Sequence, residues 1–214
     1  MVSYSFGIIN WNQSELNALD VKTRKWLTMF KVIYRNQCLS RIYLPRNNGG
    51  LGLTEINQLH RANTVSLGQY MRSCERKEIK IVKAFQEHKE STRTSTFKLA
   101  ELYGKENVNQ ERETKEVPAT KLARKARSRY SKQWQKDVEK EWKEQKRAAP
   151  FYQELNKEYI DKERSLEWLR KGVLKFDQER VIIAAQDQGL MTRAFMKMEK
   201  LTADDKCRFC KEEG

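Results

Sequence analysis

Between Lys121 and Arg147 the residues Ala123, Ala126, Tyr130, Trp134, Val138 and Trp142 return every three or four positions. That interval lines side chains along one side of an α-helix. The same segment holds eleven Lys and Arg against four Asp and Glu, so a buried stripe and a strongly basic flank must share one helix until Pro150 interrupts the pattern. The whole chain shows the same imbalance: 43 Lys plus Arg against 29 Asp plus Glu give a formal charge of +14 over 214 residues. An excess of this kind is usually tolerated because a polyanion or an acidic partner neutralises it, and nucleic acid is the first candidate.

The rest of the chain also reads as helix. Asn12 and Glu15 stand at capping-box spacing, and Leu16, Leu19, Thr23, Trp26, Leu27 and Phe30 follow as an apolar stripe that should pack on something. At "RIYLPRNNGGLGL" the period breaks. Ile42, Tyr43 and Leu44 form a short extended run, Pro45 bars helix continuation, and Gly49-Gly50 permits backbone angles other residues avoid, so a loop or hairpin is expected there. Thr54 is positioned to cap a second helix whose apolar face runs through Ile56, Leu59, Ala62, Leu67, Tyr70, Met71 and Cys74. Residues 91–118 are polar, with little apolar area to offset chain ordering, and read as a linker with a short helix around Phe97 to Tyr103. One helix through "DKERSLEWLRKG" should end near Gly172, and another should run from Asp177 through "DQERVIIAAQDQGLMTRAFMKMEKL".

Enzymatic chemistry is not visible. Adjacent Asp204 and Asp205 could hold divalent metals as a polymerase does, but they lie between a Lys-rich helix end and a Cys-x-x-C pair rather than on a hairpin turn between apolar strands, so a solvated loop is the better reading. His60 and His88 have no nucleophile or carboxylate at a telling spacing and read as surface or packing residues. "NNGGLGL" lacks the Lys-Ser/Thr ending of a phosphate loop. The four cysteines are too few and scattered for a secreted disulfide framework; Cys38 and Cys74 read as packed thiols, and Cys207 and Cys210 have the spacing of half a zinc site. No signal peptide and no apolar run of about twenty residues is present, so an intracellular protein of cytoplasm or nucleus, away from membranes, is expected.

The basic helix supplies the binding residues. Lys121, Arg124, Lys125, Arg127, Arg129 and Lys132 can track phosphates, with Arg41 and Arg46 as a second cluster. Tyr130, Trp134 and Trp142 could stack on bases, although their spacing is that of a packed stripe.

Three segments together resemble a known family. "SYSFGIINWNQSELNALDVKTRKWLTMF" with "IYLPRNNGGLGL" is similar to the region after the palm in reverse transcriptases of non-LTR (LINE-like) retrotransposons, and "DKERSLEWLRKGVLK", "IIAAQDQGLMTRAF" and "KCRFC" resemble the connector leading into their Cys-Cys-His-Cys zinc knuckle. The likeness covers most of the chain except the linker. It departs at Gly50-Leu51-Gly52, where the family usually has Gly-Arg-Gly, which removes one possible phosphate contact. The resemblance implies an all-α chain with a thumb-like helical domain (1–90), a polar linker (91–118), a basic helical connector (119–206) and a truncated knuckle (207–214). It also implies that the catalytic palm of the parent RNA-directed DNA polymerase lies upstream, so this chain would be a non-catalytic fragment. Cys207 and Cys210 would be the first two knuckle ligands, with zinc held only if the knuckle is completed beyond residue 214. The expected partners are RNA, DNA or an RNA–DNA hybrid, bound without sequence preference. The alternative is a domesticated helical protein that binds an acidic protein partner.

Overall fold

The computed structural model describes residues 6, 9, 11–88, 95–104, 117–204, 206 and 210–212. The fold is all-α: eleven helices and no strand occur among the described residues. They are α1 (Gln13–Met29), α2 (Leu39–Tyr43), α3 (Ile56–Ser73), α4 (Lys77–His88), α5 (Thr96–Gly104), α6 (Ala119–Glu144), α7 (Ala149–Leu155), α8 (Lys162–Ser165), α9 (Glu167–Lys171), α10 (Phe176–Gln186) and α11 (Arg193–Met198). They group into two compact units that are interleaved along the chain. Unit 1 comprises Met1–Lys22 and Thr54–Asp137; unit 2 comprises Thr23–Leu53 and Val138–Gly214. These differ from the consecutive segments expected at sequence level, because α1 and α6 each contribute residues to both units. Most of the expected linker, 91–94 and 105–116, lies outside the described residues.

In unit 1 the start of α1 is set as its sequence predicts. The Asn12 side chain accepts from the Ser14 N–H at 3.2 Å and the Glu15 carboxylate accepts from the Asn12 N–H at 3.3 Å, a reciprocal capping box. The start of α3 is capped differently from expectation. Thr54 makes no cap, and the buried Asp20 of α1 instead accepts from the N–H groups of Ile56 at 2.8 Å and Asn57 at 3.0 Å. A carboxylate at a helix N-terminus satisfies two orphan donors and opposes the positive end of the macrodipole. Helix α3 buries Gln58, His60, Ala62, Thr64, Gly68 and Met71, so its inner face is more polar than the apolar pattern implied. Gly68 lets α3 and α5 approach closely: a Cβ there would lie 2.4 Å from the Ala100 Cβ. The short helix expected around Phe97 is α5, with Phe97 and Ala100 buried. On α6, Ala123 is buried, and its carbonyl accepts from the Ser66 hydroxyl at 3.1 Å.

Unit 2 is built around Ile33, Ile42, Leu51, Leu169 and Ile183, with Leu27, Val32, Tyr43, Leu53 and Trp168 packed against them. The expected extended run is only partly so. Ile42 and Tyr43 form the last turn of α2, and only Leu44, forced away from helix by Pro45, is extended. The chain then folds back on itself: the N–H groups of Leu51, Gly52 and Leu53 donate to the carbonyls of Arg41, Leu44 and Ile42 at 2.8, 2.8 and 3.1 Å. Gly49 supplies the left-handed turn (φ 88°), while Gly50 is needed for space, since a Cβ would fall 2.1 Å from the Leu44 carbonyl oxygen. Gly172 (φ 64°) ends α9 as expected. The single helix expected from Asp177 onward is two. Helix α10 stops at Gln186, Gln188 turns left-handed (φ 53°), and Gly189 packs so tightly that a Cβ would meet the Asn36 carbonyl at 2.6 Å. Thr192 then caps α11 by accepting from the Phe195 N–H. The helix expected through residues 161–172 is likewise broken, at Leu166, into α8 and α9.

Asp20 joins two helices through one carboxylate, which makes it a test of unit 1. Asp20→Ala is expected to lower unfolding free energy by about 1–2 kcal/mol, the loss of a buried cap. Urea denaturation monitored by circular dichroism measures it, with Thr54→Ala expected to stay within about 0.5 kcal/mol of wild type.

Candidate nucleic-acid interface

Helix α6 separates its residue types by face. Ala123, Val138 and Trp142 are buried, and Tyr130 and Trp134 are half-buried. Burial pushes the Tyr130 hydroxyl up, with the Arg61 guanidinium pulling it the other way. The aromatic stripe is therefore packing surface rather than a set of rings open to bases. Trp142 lies completely buried in unit 2, 5.1 Å from the ring centre of Tyr152.

Most of the basic residues take the opposite side. Lys121, Arg124, Lys125, Arg127, Arg129 and Lys132 are all exposed, as is Lys136. At about 100° per residue, Lys121, Lys125, Arg129, Lys132 and Lys136 fall within a sector of roughly 80° and form a ridge about 22 Å long. Arg124 lies about 60° from its edge, and Arg127, about 120° away, is exposed on the side of the aromatic stripe. The first carboxylate on this helix is Asp137, so from Ala119 to Lys136 the helix carries seven cations and no acid. Beyond that point charges mix, and Lys140 pairs with Glu144 at 4.0 Å.

The second predicted cluster divides: Arg41 is buried, and Arg46 is half-buried. Arg41 is 0% exposed. Its Nε donates to the Gly49 carbonyl at 2.9 Å, Nη1 to Asp187 Oδ1 at 2.9 Å and to the Ile183 carbonyl at 3.5 Å, and Nη2 to Gln186 Oε1 at 2.8 Å. The guanidinium also lies over the rings of Trp142 and Phe151, at 5.1 and 4.9 Å. Arg46 makes a two-pronged pair with the buried Glu179 at 3.0 and 3.1 Å and donates to the Leu169 carbonyl at 2.7 Å. Both are structural cations. Nε, Nη1 and Nη2 of Arg41 all donate inside unit 2, so that residue cannot meet a phosphate without dismantling it, whereas Arg46 stays 30% exposed beside its pair with Glu179.

Asp204 pairs with Arg193 on the surface, while Asp205 lies outside the described residues. Cys207 also lies outside them, and Cys210 is exposed. Cys38 is buried, where desolvation pushes its thiol up, away from the thiolate that metals and electrophiles require. A cleft of about 330 Å³ opens beside it, lined by Gln37, Lys146, Arg147 and Asp187 among others. Burial also pushes the Asp187 carboxyl up, against the pull of Arg41. His88 is exposed. His60 is only 3% exposed and packs edge-on against Phe6 and Tyr103, with ring centres 5.3 and 6.4 Å away. Desolvation, with Arg61 nearby, lowers its affinity for a proton. No helix among the described residues is long and apolar enough to cross a membrane.

Comparison with protein-family models, curated proteins and solved structures finds no match to this chain.

Two outcomes are expected from these placements. Arg41→Gln should lower stability by about 3–5 kcal/mol in denaturant unfolding, because it leaves a buried carboxylate and two carbonyls without their donor. His60 holds its proton less tightly in the folded chain than in the unfolded one, so the unfolded state binds more protons below the ordinary histidine value. Stability should therefore be full above that value and fall as pH drops below about 6.5. Urea unfolding at successive pH values should show that loss in wild type and a smaller one in His60→Gln.

Proposed function

We propose that the chain binds nucleic acid without sequence preference through the basic ridge of α6, as expected of a thumb and connector segment of a non-LTR retrotransposon reverse transcriptase. The observation that carries this reading is the exposure of all six predicted α6 cations on a stretch of helix that has no acid. A ridge of about 22 Å runs past roughly thirteen phosphate charges of a duplex, since B-DNA carries one charge per ~1.7 Å of axis. Long flexible Lys and Arg side chains can meet those phosphates in any register, which gives affinity without base readout. The aromatics of the helix are committed to packing, so it contributes charge rather than stacking.

The reading is tested by salt. Log affinity for a mixed-sequence duplex or RNA–DNA hybrid should fall linearly with log salt concentration, by about 0.9 per phosphate contact, or about five for six contacts. Replacing Lys121, Arg124, Lys125, Arg127, Arg129 and Lys132 together by Gln keeps helix propensity while removing the charge, and should flatten the slope to near zero. Arg46→Gln should leave it unchanged. Competition by any unrelated duplex should be complete. A binding partner that is instead one acidic protein would resist that competition, and an unchanged slope in the six-fold variant would overturn the assignment to α6.

A further inference from the structure

The last turns of α1 present a face that the core of unit 2 leaves open. Leu27 packs on the core, but Trp26 is 60% exposed, Met29 66% and Phe30 72%. The sequence pattern places Trp26 and Phe30 in a stripe with Leu16 and Leu27; the structure puts both rings in solvent. Lys25 and Lys31 beside them are exposed as well. No Asp or Glu occurs from Val21 to Thr54, although Lys22, Arg24, Lys25, Lys31, Arg35, Arg41 and Arg46 do. Arg41 and Arg46 are neutralised by Asp187 and Glu179, and the Arg24 guanidinium donates to the Tyr43 hydroxyl. The segment around the two rings therefore carries positive charge with no acid of its own.

The helix ends there in a Schellman motif. The Val32 N–H donates to the Leu27 carbonyl at 2.8 Å and the Lys31 N–H to the Thr28 carbonyl at 3.1 Å, with Lys31 left-handed at φ 58°. Glycine is the usual occupant of that position because it adopts it without steric conflict. A lysine there accepts strain, and it sets a cation immediately after Phe30.

We propose that this face is a stacking platform for single-stranded nucleic acid, with bases on Trp26 and Phe30 and the adjoining phosphates met by Lys25 and Lys31. The proposal rests on the nucleic-acid reading of the chain but uses different residues, on unit 2. The rings stand one helical turn apart, about 6 Å along the axis. Unpaired bases can be seated on both rings, whereas the bases of a duplex are already stacked on one another. Interleaved cations and aromatic rings are the chemistry that holds single strands irrespective of sequence. An uncharged apolar partner would gain nothing from Lys25 and Lys31.

The test compares binding of a labelled oligothymidylate with that of a labelled mixed-sequence duplex, by fluorescence anisotropy on the full chain. Trp26→Ala with Phe30→Ala should weaken oligothymidylate binding by about 100-fold, at roughly tenfold per lost stack. Because both rings are exposed, fold and duplex affinity should stay as in wild type. Lys31→Gly should raise the thermal midpoint while weakening oligothymidylate binding several-fold; a purely structural lysine would move only the first. The six-fold Gln variant of α6 should lose duplex binding and keep the dependence of single-strand binding on Trp26 and Phe30. If the double variant binds oligothymidylate as wild type does while duplex binding still depends on α6, this inference fails alone; if wild type binds neither probe, both readings fail. Should the double variant instead abolish self-association in light scattering, or binding to phosphatidylserine vesicles, with oligothymidylate affinity unchanged, the face belongs to a second copy or to a bilayer and the proposal is overturned.

Discussion

The geometry of unit 2 depends on one buried cation. Arg41 sits on the short helix α2, yet its guanidinium reaches the Gly49 carbonyl at the turn after it and three residues at the end of α10, Ile183, Gln186 and Asp187. One planar side chain therefore fixes the return loop of residues 45–53 against the end of a helix that lies more than 130 residues further along the chain. Taking an arginine wholly out of water is costly unless its donors are matched, and here Nε and both terminal nitrogens of the fork have acceptors while Trp142 and Phe151 cover the flat faces. Asp187 is satisfied from both sides, because its second oxygen accepts from the Cys38 N–H at the start of α2. The pair closes a circuit from Cys38 through Asp187 to Arg41 and back along α2. A lysine could not fill this place, since a single ammonium lacks the fork that spans four acceptors.

That arrangement explains why a chain so rich in cations needs a sharp division between those it keeps and those it displays. Arg41 and Arg46 are held by Asp187 and Glu179, both buried, so each internal cation has an internal anion. The formal excess of +14 must then be carried elsewhere. On α6 it is carried by exposed side chains where carboxylates are missing for seventeen residues after Ala119. Within one helix the buried stripe and the basic ridge do not compete, because a period of 3.6 residues keeps them on opposite sides.

Much of this was legible in the sequence, and the exceptions share a cause. The α1 capping box, the α6 stripe, the packed helix at Phe97 and the stop at Gly172 are local signals: each is decided by residues within one or two turns of one another. The errors arise where a distant residue decides. Nothing near Thr54 announces that Asp20, more than thirty residues earlier, will cap α3. Arg41 and Arg46 have the composition of a surface cluster, and only the approach of α10 turns them inward. The second helix expected from Asp177 is broken because Gly189 must pass the Asn36 backbone at a distance no side chain allows. "DQG" at Asp187 to Gly189 carries a signal for that break, a glycine inside a helical pattern, although the apolar period continues on both sides of it.

Trp26 and Phe30 show the converse limit of pattern reading. A helical period identifies which side chains share a side, but whether that side is covered depends on what the rest of the fold brings to it. In α1 the covered positions Leu16, Asp20 and Leu27 fall within a sector of about 40°, and Trp26 and Phe30, to one side of it, stand exposed at the end of the helix. A chain under selection for solubility alone has an easy remedy at such positions, since exposed helix sites accept Glu, Gln or Lys at no loss of propensity. Here tryptophan and phenylalanine stand in solvent one turn apart, beside a lysine that occupies a glycine's conformation. With no acid between Val21 and Thr54, an anionic, flat-ringed ligand fits the proposed platform, because it complements the rings and the cations together.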